Sequence, residues 1–596
     1  PAFTGGITQS GSAKVFLTGT NNYSSQTVIS NGAVLQIGAG GNADPSLGFT
    51  SNPVIFSTPS GGTLQINGAA TDINSSRSIT LNAPGIIDPQ AQNLQISASI
   101  TGSSQITFLN SSAPTTQTIK LASTSNNYSG ATFIGSNAAG LFQANLQALA
   151  ANTFSSQSDV TLVIGSTGTG STLDLNGFNQ SIGALNSVSA LNTVTLGSAT
   201  LSLGTTNNAG TFAGAINGNG SVVKQGSGVQ TFTGTNGYQG GTVINAGTLN
   251  VNSDAALGNA AGSITLGGGT LQAAVGFSTS ARSIALTSST SSNIDTNGQS
   301  VTLTGQITGS GNWAKIGSGT LTLSPALASN YNGTTTITAG TVAVTANASL
   351  GNSSSLILNG GILQAAAASV TLASPVNVAV TSTIDTQANT LTLSGRITAT
   401  TAFSKIGSGI LVLSNTSNNY SGTTNVSNGT LRAAATNAFS SLSQINLANV
   451  AGVTLDLNGF SNAIGSLTGG ALSTVTLGSS TLTLGGDNTS TTYNGAINGA
   501  GGSLVKQGVG TFTLASTNGY TGTTTINAGI LSISADANLG NGGAVVIATG
   551  GTLQAAGGSA FSTSRTISLN GTGTINVVGG QTLTINGTLQ NGTMTG

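Results

Sequence analysis

The sequence predicts an all-β protein wound as a parallel β-helix, and three observations predict it. Apolar residues alternate with Thr, Ser and Asn in short bursts, such as "TLTL" at 320–323 and "TLDLNG" at 172–177, closed by Asn-Gly or Gly-Gly. A period of two with β-branched residues between turn formers marks short strands. The sixteen residues "NGYQGGTVINAGTLNV" at 236–251 return almost unchanged as "NGYTGTTTINAGILSI" at 518–533, and a segment written repeatedly is a building unit. Glycine fills 88 of the 596 positions, enough to break helical runs throughout. The best helical candidate is "LFQANLQALAA" at 141–151.

Three strands and their turns use roughly 20–25 residues, so the chain is expected to wind about 25–28 coils. At about 4.8 Å per coil this is a single elongated rod roughly 120–135 Å long. Inward Val, Ile, Leu, Ala and Phe would stack into a narrow core, and outward Thr, Ser and Asn would solvate the faces. A row of β-sandwiches fits block lengths near 100 residues less well, since linkers are missing and Trp313 is the sole tryptophan.

The lysines organise the chain into blocks. Lys14, Lys120, Lys224, Lys315, Lys405 and Lys506 open segments 14–119, 120–223, 224–314, 315–404, 405–505 and 506–596. A tyrosine follows in each: Tyr23, Tyr128, Tyr238, Tyr331, Tyr420 and Tyr520. Shared motifs order the blocks A-B-C-A-B-C, with matching lysines 301, 285 and 282 residues apart. One continuous solenoid over 1–596 is expected, built by duplicating a unit of roughly 290 residues. Seven of the nine prolines lie between Pro1 and Pro114, so the first block should carry the more irregular loops.

Composition removes several function classes. The chain lacks Cys, His and Glu, and its eleven aspartates balance eleven Lys and Arg for zero net charge. Disulfides and thiolate metal sites are excluded, and no basic field exists for nucleic acid. No apolar run is long enough for a membrane-spanning helix. Serine nucleophiles would lack an imidazole base. The aspartates sit in repeated contexts along the rod, Asp174 and Asp456 in "LDLNG", Asp295 and Asp385 in "IDT", Asp254 and Asp536 before "LGN". Active-site acids would cluster instead, so no catalytic residue, metal site or cofactor is assigned. "LGGDN" at 484–488 is a lone fragment of a calcium-binding repeat and reads as a turn.

The tyrosines are expected to pack over coil corners while Asn shapes the turn, in preference to forming a glycan-stacking stripe. The lysines are expected to pair with aspartates on neighbouring coils. Arg77, Arg282 and Arg565 share one slot; Asp88 and Asp295 follow the first two, but Asn576 follows the third, so a strict Arg–Asp pair is not required.

The segments "GAINGNGSVVKQGSG" (214–228) with the 236–251 unit, "GSGTLTLS" (317–324) with "NYNGTTTITAGTVAV" (330–344), and "STLDLNGFNQSIGAL" (171–185) resemble the passenger-associated repeats of bacterial autotransporters. The resemblance covers nearly the whole chain, most clearly from about residue 120 to 596. It implies a right-handed β-helix exported to the surface of a Gram-negative-type cell, in a family of adhesins, self-associating proteins and some enzymes. The outer-membrane barrel of such proteins is not in this sequence: either it has been cut off or the protein is a barrel-free relative. The start at Pro1 is read as leader removal.

Segment 1–13 resembles the internal junction at 303–315, and segment 583–596 resembles its first part. Phe3, Ile7, Ile585, Leu589 and Met594 are therefore candidate self-association residues. The expected function is a non-enzymatic extracellular fibre subunit, polymerising head-to-tail with copies of itself. The alternative is an adhesive or self-associating passenger binding a glycan or cell surface, and the distant alternative is a polysaccharide-acting enzyme.

Overall fold

The computed structural model describes residues 4–38, 44–67, 71–112, 117–136, 142–164, 168–287, 290–557 and 559–591. The chain divides into two compact units, Pro1–Gln306 and Ile307–Gly596. Each is a β-solenoid of stacked parallel strands. Together they contain about 27 coils, within the expected range.

In the first unit the chain visits three faces in each coil. One face stacks Ile7–Ser10, Thr27–Ser30, Val54–Ser57, Ser78–Leu81 and Ser99–Gly102. A second stacks eight strands from Lys14–Leu17 to Leu185–Asn186, and a third seven strands from Thr71–Ile73 to Ala215–Asn217. Among the described residues the strands pair in parallel, each with the matching strand one coil away, as where Ile264–Leu266 lies in register on Ile284–Leu286; an isolated antiparallel bridge joins Ser136 to Phe142. In the second unit the register aligns Leu391, Leu411, Leu431, Leu455, Val475 and Ile497 into one inward column, all completely buried.

The sequence dictates this column directly. In "TLTL", "ILVL", "TLRA" and "TLD" the second residue is apolar and points inward, while its Thr or Ile neighbours face out. Because side chains alternate with a strict period of two, a slip of one residue would turn every Leu to solvent.

The best helical candidate, 141–151, holds a strand and no helix among its described residues. Asn145–Ala148 is a strand whose Leu146 and Ala148 point inward. It lies between Thr118–Leu121 and Thr172–Asp174, so two flanking strands and a period of two outweigh the helix propensity of Leu, Gln and Ala. Among the described residues the helical elements are four single 3-10 turns, Asp44–Leu47, Asp254–Leu257, Asn347–Leu350 and Asp536–Leu539. No helix among the described residues is long and apolar enough to cross a membrane.

Leu431→Ala is expected to lower unfolding stability by about 2–5 kcal/mol, because it opens a cavity in a closed column. Leu472 is 57% exposed, and Leu472→Ala should change stability by about 0.5 kcal/mol or less. Denaturant unfolding of the two variants checks the contrast, and equal losses would contradict the assignment of inward and outward faces.

Candidate binding face

At each corner the chain must turn, and the turn's backbone groups fall outside the strand ladders. Buried polar side chains satisfy them. Asn518 accepts a hydrogen bond from Ile497 N (2.7 Å) and donates to Asn538 O (2.6 Å), so one amide joins three successive coils. Asn236 does the same with Ile216 N and Ala256 O, Asn418 with Ile397 N and Ala438 O, and Asn126 with Ile100 N and Thr153 O. The tyrosine two residues later turns inward. Tyr23, Tyr128, Tyr238, Tyr331, Tyr420 and Tyr520 are all buried. Five of their hydroxyls share a hydrogen bond of 2.5–2.9 Å with a threonine four residues on, Thr27, Thr132, Thr242, Thr335 and Thr524. Tyr420 packs edge-on against Phe403, ring centroids 5.6 Å apart. Burial removes these rings from any sugar-stacking stripe. Gly258, at φ +84°, lies against the Tyr238 ring, where a Cβ would come within 2.6 Å of a ring carbon. That close approach accounts for the Gly of "ALGN".

The arginines close the same corner from the following coil. Arg282 Nε meets Asp254 Oδ1 at 2.6 Å. Its other nitrogens donate to the carbonyls of Asp254, Leu257, Gly258, Asn259 and Gly262. Arg77 with Asp44 and Arg565 with Asp536 repeat the pairing, each at 2.8 Å. The reading that no strict pair is required is therefore corrected: the partner is the aspartate one coil before the arginine, not the one after it. The signal lay in the repeats. Where the acid becomes Asn347, the arginine slot holds Ser374, so the charges come and go together, as the cost of burying one alone requires.

The lysines divide into two kinds. Lys224, Lys315, Lys405 and Lys506 are buried, and their ammonium groups cap a loop instead of the expected aspartate. Lys506 Nζ donates to the carbonyls of Gln507 (2.7 Å), Gly508 (2.8 Å) and Ala528 (3.2 Å). Lys224 and Lys315 form the same three bonds at their own loops. Lys405 replaces the third with Thr386 Oγ1. Burial pulls Lys224, Lys405 and Lys506 down to about 8 from an ordinary 10.5, while Asp385 and Asp487 oppose it for the last two. Lys14 and Lys120 instead face outward on strands, Lys14 with its ammonium 5.2 Å from the Phe16 ring centroid. They occupy a different position of the repeat: the residue matching Lys224 in the first copy is Gln9.

The aspartates hold turns. Asp174, Asp295, Asp385 and Asp456 each accept from the backbone N–H two residues on. The first three also take a glutamine amide from the preceding coil, and Asp456 takes Arg432. Asp487 of "LGGDN" accepts from Ser466 Oγ and Thr489. Among the described residues no group of three acids or other ligands gathers as a metal site. Of the self-association candidates, Phe3 and Met594 lie outside the described residues. Ile7 and Ile585 are half-buried on strands, and Leu589 is exposed.

One surface feature is not explained by the scaffold. On the second face of the first unit, Thr63, Ile86, Thr107, Phe133, Thr161 and Asn186 stack in register on successive coils at outward strand positions, Thr107 buried and the others partly exposed. They floor a groove of about 800 Å³, within the range of ligand clefts. Among the described residues its lining contains no charged side chain. Val188, on its rim, is 98% exposed. The sequence shows the strands but not the groove, whose lining combines these floor positions with turn residues such as Ser60, Pro84 and Val188.

Five segments, 7–37, 222–251, 314–344, 403–433 and 504–533, match the passenger-associated-transport repeat. The last four each begin at a lysine-bearing strand and run through the tyrosine corner to the next strand. A stretch of 200 residues, 31% of the chain, is 40% identical to the adhesin BmaC autotransporter of Brucella suis biovar 1 (strain 1330). It spans 6% of that protein's length. No solved structure matches the chain.

Arg282→Ser alone is expected to cost about 3 kcal/mol or more, leaving Asp254 and the loop carbonyls without a partner. Adding Asp254→Asn recreates the Asn347/Ser374 combination, so the double variant should lose less than the two single losses combined. Additive losses in denaturant unfolding would show that the two sites are independent.

Stability should also vary with alkali in two directions. The unfolded chain holds the lysine protons to about 10.5, whereas folded Lys224, Lys405 and Lys506 release them near 8. Stability therefore rises across that window. Burial pushes Tyr128, Tyr420 and Tyr520 up to about 12 from an ordinary 10.0, so stability falls again as the pH passes from 10 towards 12. A Tm measured from pH 7 to 12 should peak near about pH 10. A steady decline from pH 8 would contradict the lysine assignment.

Proposed function

From a chain that carries passenger-associated transport repeats in both solenoid units, we infer a surface-exposed or secreted passenger that works as a non-enzymatic adhesin. The observation that carries this reading is the 200-residue match to a protein named an adhesin autotransporter. Two physical features support it. The acids and buried cations spend their hydrogen bonds on coil corners, which leaves them without the clustering that catalysis needs. The solenoid presents long lateral faces of uncharged hydroxyl and amide groups, suited to contact with an extended partner.

Self-association is the second reading. Segment 4–13 shares its pattern with the internal junction at 303–315, and Leu589 is 52% exposed. Contact between segments 4–13 and 583–591 of different copies would be heterologous and would build filaments. Removal of either segment should then abolish assembly seen by sedimentation or electron microscopy.

Producing cells, intact, should bind antibody raised against the chain and lose that signal on brief protease treatment. Deleting the chain should reduce their attachment to host cells or coated surfaces. A protein sheltered from protease, or attachment unchanged by deletion, would overturn the adhesive reading.

A further inference from the structure

We propose that the groove on the first unit binds a neutral, extended polysaccharide running along the solenoid axis. The proposal rests on the adhesive reading for its biological role, and it names the ligand class and the site.

The floor of the groove decides the chemistry. Its strands are paired on both sides by parallel ladders, so no free edge is available and a peptide cannot add as a strand. What the floor offers is side chains alone. Hydroxyl and apolar groups alternate from Thr63 through Ile86, Thr107 and Phe133 to Thr161, and the hydroxyl bearers recur every two coils, about 9.6 Å. The side chains on one face of an extended peptide recur at about 6.6–6.8 Å, so a peptide laid along the axis would fall out of step. A chain of sugar rings offers both of the groups this column can use, apolar ring faces and hydroxyls. Phe133, half exposed on the outward side, supplies the flat apolar platform on which a ring face packs.

Charge narrows the choice further. The absence of any Lys, Arg or Asp among the described lining residues gives an anionic polymer or a lipid headgroup no counter-charge. A neutral polyol needs none. The exposed Val188 stands beside the floor and adds apolar contact only when something occupies the groove. Six coils from Thr63 to Asn186 cover about 24 Å, long enough for several sugar residues, which is how weak contacts with single rings add up to useful retention.

The test is affinity electrophoresis of the full chain through gels containing hydroxyethylcellulose or dextran, both neutral, or polygalacturonate or heparin, both anionic. A neutral polymer should retard the chain. Phe133→Ala should weaken retardation at least tenfold, and Phe133→Tyr should preserve it. Val188→Asp should weaken it as well; the residue lies on the surface, so this variant reports on the groove even where Phe133→Ala disturbs folding. Leu472→Asp, in the second unit, should leave it unchanged. Retardation by the anionic polymers alone, by none of the four, or unaltered by both Phe133→Ala and Val188→Asp would overturn the proposal. Attachment separates this from the broader reading. If deleting the chain reduces cell attachment but the groove variants do not, the adhesive reading stands and the groove is not its site. If the purified chain binds the neutral polymer but deletion leaves attachment unchanged, the groove proposal stands and the adhesive reading falls.

Discussion

The structure depends on satisfying the backbone at the coil corners. Along the faces the parallel ladders pair the backbone N–H and C=O groups coil to coil, and the Leu and Ile columns exclude water without further help. At a corner neither holds: the chain turns, the ladder lapses, and carbonyls are left beside an apolar core. An unpaired buried carbonyl costs about 1–3 kcal/mol, and a solenoid would meet that cost in coil after coil. The solution is a small set of buried side chains with many donors. Asn joins three coils, Lys bonds two carbonyls of its own loop and a third one coil on, and Arg gathers up to five carbonyls and an aspartate.

This use of polar side chains explains a composition that otherwise looks contradictory. The chain has very few charged residues, yet several of them are buried. In ordinary globular proteins Lys and Arg stay at the surface, because their hydration is hard to replace. Here a guanidinium with five donors meets a turn with a matching number of carbonyls, and one aspartate neutralises it. The faces, by contrast, need no charge, since Thr, Ser and Asn hydrate them and bridge neighbouring coils, as Thr454 does to Thr474 at 3.1 Å. Charge is therefore drawn inward to the corners, and the outer surface is left largely neutral.

Most of the fold was legible because its strongest signal is repetition with a period of two. The alternation in "TLTL" fixed strand, face and register together, and the sixteen-residue unit marked where corners lie. The helix-prone residues of 141–151 gave not even a brief helical excursion, because helix propensity is weak beside two neighbouring strands. The corner chemistry was half legible. Tyrosine as a corner residue followed from its recurrence beside Asn. The Arg–Asp pair was sought downstream of Arg77 and Arg282, although in a solenoid the neighbour of a residue lies one coil away in either direction. Comparing the copies would have chosen the right direction, since Asn347 and Ser374 change together where Asp88 and Asp295 do not track the arginine. The lysine series failed differently. Counting lysines grouped Lys14 and Lys120 with four residues at another repeat position, and only the distance to the tyrosine separates them.

The groove was not legible, for a reason that applies to solenoids generally. A repeat specifies what each coil shares with the next, and function lies in what one coil does differently. The floor residues Ile86 and Phe133 alternate with Thr63, Thr107 and Thr161 at outward positions, and nothing in the alternating pattern distinguishes an outward Phe from an outward Thr. Only their alignment on successive coils makes them a surface. The scaffold can be built many times from one unit because its corners carry their own polar partners. That independence leaves the outward positions free to vary, and a binding face can then be assembled from substitutions that cost the coil almost nothing.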